Sequence, residues 1–125
     1  MGQCLPRKLA IPEAGWGEYL QWFVGRRRRF VVRETSMVPT LRPGDTVLAA
    51  MGAEVQLGDI AIATHPLQPN MLLIKRVQEI FYDGSVYLIS DNTTGPSVLD
   101  SRHFGVFTAS TIIGRVTSRL ATAPS

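Results

Sequence analysis

The chain has 125 residues, 45% of them hydrophobic and 18% charged, which suits one domain with one core and excludes a disordered polypeptide. The formal charge of +3 is concentrated in the run Arg26, Arg27, Arg28 and Arg29, outside which acidic and basic residues nearly balance, so no nucleic-acid partner is expected. Cys4 is the single cysteine and His65 and His103 lack the close spacing of a zinc site, so neither a disulfide nor a metal or other cofactor is expected.

Residues 1–12 lack the apolar run of a secretory leader and are read as a flexible N-terminus ahead of a single domain over 13–118. No stretch of about 18 apolar residues occurs, so the chain is expected to be soluble and cytoplasmic. Residues 13–25, EAGWGEYLQWFVG, set Trp16, Tyr19, Leu20, Phe23 and Val24 at helical spacing, with Pro12 suited to the first turn and Gly25 to the end. The favoured reading of this stripe is a cap over the core with the arginines as a solvated flank. The alternative is a weak peripheral contact of residues 16–29, from Trp16 to Arg29, with an anionic membrane or a partner.

After the arginines the texture changes to short β-type segments: RFVVRE, DTVLAA, DIAIATH, MLLIKRVQEIF, SVYLIS and TIIGRVTS. Turn signals separate them at Pro43-Gly44-Asp45, Gly58-Asp59, Pro66 to Asn70 and Asp83-Gly84, the last closing a hairpin. Residues 91–107 show no period and read as a long ordered loop of a length usually reserved for function. Residues 119–125 read as a flexible tail.

Ser36 lies in the turn-rich stretch ETSMVPTLRPGD and needs a base before its hydroxyl can attack a carbonyl. His65 and His103 read as structural or surface residues. Lys75 is the other candidate, because the period of two in MLLIKRVQEI puts it on one strand face with Leu73 and Val77. A lysine buried there would lose its proton near neutral pH; the competing reading is that it snorkels from the rim of a sheet.

The segments SMVPTLRPGD, LGDIAI, IKRV, SDN with DSRHFGVF, and IIGRV follow in the order and roughly the spacing of the motif boxes of the type I signal peptidase family, which they resemble over residues 31–116. The resemblance implies a serine/lysine-dyad protease of mainly β, signal peptidase/LexA-like coiled fold with one short N-terminal helix. It implies Ser36 as nucleophile and, through its backbone N–H, oxyanion donor, with Lys75 as general base. Met37 and Pro39 would shape the nucleophile turn and substrate groove, Arg76, Asp91 and Asn92 would support the site, and Asp100, Ser101 and Arg102 would hold the loop behind the lysine. The substrate would be a precursor protein bound as an extended strand.

Three positions depart from the family pattern. Glu34 stands where a serine or glycine is usual and is expected to point away. Ser90 replaces a customary glycine, and Val98 occupies the place of a serine that orients the base, leaving Ser97 as a substitute. Size and the missing anchor resemble the nickel-type superoxide dismutase maturation proteases, which remove an N-terminal extension from the dismutase precursor. The alternatives are signal peptidase-like processing of exported proteins at the membrane and LexA-like self-cleavage, for which Ala14-Gly15 is the candidate bond, although it falls inside the predicted helix.

Overall fold

A computed structural model describes residues 10–52, 54–92 and 100–122. The elements run α1 (Trp16–Phe23), β1 (Arg28–Val31), β2 (Thr46–Met51), β3 (Ile60–Thr64), β4 (Leu72–Ile80), β5 (Val86–Ile89), α2 (Ser101–Phe104), a 3-10 turn (Ala109–Thr111) and β6 (Ile112–Ala121). Each of the six β-type segments has become a strand, and together they form one antiparallel sheet in the order β1-β2-β6-β3-β4-β5.

Alternation along β3 explains how the sheet buries both faces. Ile60 and Ile62 join Val47, Leu41, Met37 and Val116 in one apolar cluster, whereas Ala61 and Ala63 join Leu73, Val77, Leu88 and Phe107 in another. The expected hairpin links β4 to β5: Asp83 accepts hydrogen bonds from Ser85 N–H and Oγ, and Gly84 takes a φ of 88°, which a side chain would resist. The register of β4 on β5 shifts by one residue between Val77 and Glu79, a β-bulge with consequences for the site.

Four expectations change. The helix starts at Trp16, so Ala14 and Gly15 lie outside it in extended chain, with Ala14 N–H bonded to Arg119 O at 2.8 Å. The aromatic stripe of α1 does not cap the core, because no residue of α1 is buried. Beyond position 118, β6 continues to Ala121 because Arg119 and Ala121 pair with Val47 and Thr46. The stretch read as a loop over 91–107 contains α2, whose N-cap Asp100 accepts from Arg102 N–H; residues 93–99, Ser97 and Val98 among them, lie outside the described residues. Among the described residues no helix is long and apolar enough to cross a membrane.

Candidate active site

Ser36 sits half-buried in the connection between β1 and β2. The connection is tied at its base by Val32 N–H to Asp45 O and Gly44 N–H to Val32 O, and the Pro-Gly-Asp turn is closed by the Asp45 carboxylate on Arg42 N–H. Met37 is buried in the first apolar cluster and anchors the loop from below. Ser36 and Met37 also line a cleft of about 560 Å³ between β1 and β4, walled by Phe30, Val31, Met71 and Leu72. Pro39 follows a cis peptide bond in the same connection, is exposed and is not among the residues that line this cleft. The backbone N–H of Ser36 has no acceptor among the described residues, so it is available to a developing oxyanion.

Lys75 is only 1% exposed and does not snorkel. Its cross-strand neighbour is Ala61, whose small side chain leaves room for the lysine stem, and Leu73 and Val77 flank it in the second apolar cluster. Burial pushes the Lys75 ammonium below the ordinary lysine value; the carboxylates of Glu34 and Asp100 pull it back up and Arg102 pushes it down. Nζ donates a hydrogen bond of 3.0 Å to Ser90 Oγ, and both groups are buried. The residue that replaces the customary glycine thus supplies the hydroxyl partner. The only signal for it in the sequence was that replacement.

Ser36 and Lys75 share no hydrogen bond in this structure; the tripeptide 90–92 connects them. Ser90 takes Lys75. Asp91 takes Arg76, with Nη2 at 2.7 Å and Nε at 3.2 Å, and also accepts from Thr40 Oγ1 at 2.6 Å. Asn92 donates its backbone N–H to Ser36 O at 2.8 Å and its side-chain Nδ2 to Thr35 O at 3.0 Å. Three consecutive residues just past the end of β5 thus hold the lysine, the arginine and the serine loop.

Behind this tripeptide, Asp100 is fully buried and accepts from Ser90 N–H at 2.9 Å and from Arg102 Nη2 at 2.7 Å and Nε at 3.1 Å. Burial alone would raise the Asp100 carboxyl, but the hydrogen bonds from Arg102 and Ser90 outweigh it and hold it at about 2. Ser101 Oγ accepts from Leu88 N–H at 2.8 Å, fastening α2 to the edge strand β5. Since the folded value of Asp100 lies below its ordinary 3.8, its contribution to stability is present above that value and is lost as pH falls toward about 2. In acid titrations followed by circular dichroism, Asp100→Asn is expected to be less stable at neutral pH and to lose less stability than the wild type across that window.

Glu34 does not point away: it lines the cleft with Ser36, and its charge acts on Lys75. His65 is buried, its Nδ1 accepting from Leu67 N–H at 3.0 Å and Gln68 N–H at 3.1 Å, with its ring edge-on to Phe104; His103 is exposed. With Nδ1 committed to a turn, His65 is a structural residue, as read from the sequence.

A family model described as Peptidase S24-like matches residues 25–117. No curated protein matches the chain. The match takes in β1 to β5 whole and the greater part of β6, and therefore both the serine loop and the buried lysine. By that coverage and by its all-antiparallel sheet, the chain belongs to the Peptidase S24-like family, a group of serine peptidases.

Proposed function

We propose that the protein is a serine endopeptidase in which Lys75 activates Ser36. The observation that carries this reading is a lysine, sealed from water and depressed in pKa by burial, held by Ser90 on a segment that also grips the Ser36 loop. A neutral amine that donates one N–H to Ser90 keeps its lone pair for the Ser36 proton. Ser36 Oγ then bonds to the scissile carbonyl carbon, and its proton passes to Lys75 Nζ. Collapse breaks the C–N bond, the proton leaves with the amine, and a water deprotonated by Lys75 hydrolyses the acyl-enzyme. The Ser36 N–H faces the developing oxyanion; an ionised Glu34 cannot donate a second bond. The cleft beside the sheet-edge strand β1 suits an extended substrate strand.

Glu34 makes the choice of base testable. Its negative charge raises the pKa of Lys75, so Glu34→Gln lowers it. The rising limb of activity against pH, which tracks loss of the lysine proton, is expected to move to lower pH in Glu34→Gln with activity retained. An unmoved limb would show that Lys75 does not set the profile.

For the substrate, we assign removal of an N-terminal extension from a precursor protein, with the nickel-type superoxide dismutase precursor as the first to test. Support comes from the compact spacing of its motifs, with Ser36 and Lys75 close in the chain, which resembles that of the maturation proteases. Co-expression with that precursor, followed by mass spectrometry of both N-termini, tests it. A trimmed precursor with an intact protease supports maturation. A protease cut at Ala14-Gly15 supports the second reading, self-cleavage, which the extended backbone at that bond favours over the helical one read from sequence. If both chains stay intact, the precursor is the wrong substrate.

A further inference from the structure

The polarity of α1 is inverted relative to a helix that covers a core. Its charged residue faces the sheet: Glu18 accepts hydrogen bonds from the hydroxyls of Thr117 and Ser118 on β6 and pairs with Arg27 at 3.1 Å. Its apolar residues face away. Trp16 is 90% and Phe23 88% exposed, and Leu20, Val24, Tyr19 and Trp22 are exposed as well. Polar contacts thus fasten the helix to the sheet while a contiguous aromatic surface is left toward the outside, a marker of an interaction site.

The charge beside that surface indicates what covers it. Arg26, Arg28 and Arg29 continue from the helix into β1 and form no ion pair among the described residues; Arg28 stacks over Phe30 at 5.5 Å, and Arg27 alone is neutralised by Glu18. A two-fold contact between copies through α1 would bring two arginine runs toward each other, which like-charge repulsion disfavours. Anionic headgroups complement them, and Trp and Tyr rings favour the boundary between headgroup and hydrocarbon. Eight residues are too few to span a bilayer but enough to lie in its surface.

We propose that α1 and the arginine run dock this protein in the plane of an anionic lipid surface. Arg28 and Arg29 also line the cleft that holds Ser36, so docking sets that cleft beside the headgroups. The inference does not rest on the Ser36 and Lys75 assignment: an inactive protein that bound lipid would leave it standing.

The full chain is tested against vesicles of phosphatidylcholine alone and of phosphatidylcholine with phosphatidylglycerol, by co-sedimentation and tryptophan emission. Trp16 and Trp22 are the only tryptophans, so emission reports on α1 alone. The expected result is binding to the anionic vesicles with a blue shift. The double variant Leu20→Ser/Phe23→Ser, which keeps both tryptophans, should partition about tenfold more weakly. Arg28→Ser and Arg29→Ser should each cost about fivefold. Circular dichroism and melting temperature show that the variants are folded. No binding to anionic vesicles, or binding unchanged in a folded Leu20→Ser/Phe23→Ser variant, overturns the proposal. A dimer seen by light scattering and abolished by that variant, without lipid binding, assigns the face to a second copy.

Discussion

Ser36→Ala and Lys75→Ala are each expected to lower peptide hydrolysis by about 10⁴-fold or more, with the purified proteins still folded. The serine variant removes the only atom proposed to bond to substrate. The lysine variant leaves that atom intact but without a group to take its proton, so the two losses should be similar and the double variant little worse than either. Lys75→Arg should not rescue, since a guanidinium stays protonated. Hydrolysis of a cleavable peptide by each variant, with melting curves alongside, measures this. Substantial turnover by folded Lys75→Ala would remove lysine as the base.

The second large effect is on stability. Arg76 is 1% exposed and donates to Asp91, to Gly58 O at 2.8 Å and to Thr40 Oγ1 at 3.4 Å. Arg76→Ala leaves the Asp91 carboxylate buried without this counter-charge and is expected to cost about 3–5 kcal/mol. Arg76→Lys keeps the charge but not the planar fork, so it should recover part of that loss. Urea unfolding of the three proteins provides the measurement, and a loss below about 1 kcal/mol in Arg76→Ala would contradict the role given to this pair. Because Asp91 stands between Ser90 and Asn92, activity should fall in Arg76→Ala even at low temperature, where it remains folded.

Much of the sheet was legible along the chain because strand formation depends on local pattern. Alternating apolar residues between glycine, proline and aspartate turns marked all six strands, and Asp83-Gly84 marked the hairpin between β4 and β5. Lys75 was legible as a lysine on an apolar strand face for the same reason, since its spacing from Leu73 and Val77 is a local fact, but that it is buried rather than snorkelling from the rim was not. The helix was legible as an amphipathic segment, but which side it would turn inward was not. That depended on Thr117 and Ser118, far along the chain, offering hydroxyls to Glu18.

The partner of Lys75 shows the limit most clearly. Near the hairpin turn Ile80 pairs with Val86 and Glu79 with Tyr87; past the bulge Val77 pairs with Leu88 and Arg76 with Ile89. Continuing that register sets Lys75 opposite Ser90, whereas the uninterrupted register would have set it opposite Asp91. A one-residue slip exchanges the two faces of a strand, so the bulge decides whether the lysine meets a hydroxyl or a carboxylate. The strands were determined by the sequence alone, because each follows from neighbours within a few positions, whereas Ser36 and Lys75 as candidate nucleophile and base rested on the resemblance of motif boxes spread over residues 31–116. The register, the outward face of α1 and the place of Glu34 at the cleft, where its charge acts on Lys75, were decided only by the tertiary structure, because each depends on segments distant in the chain.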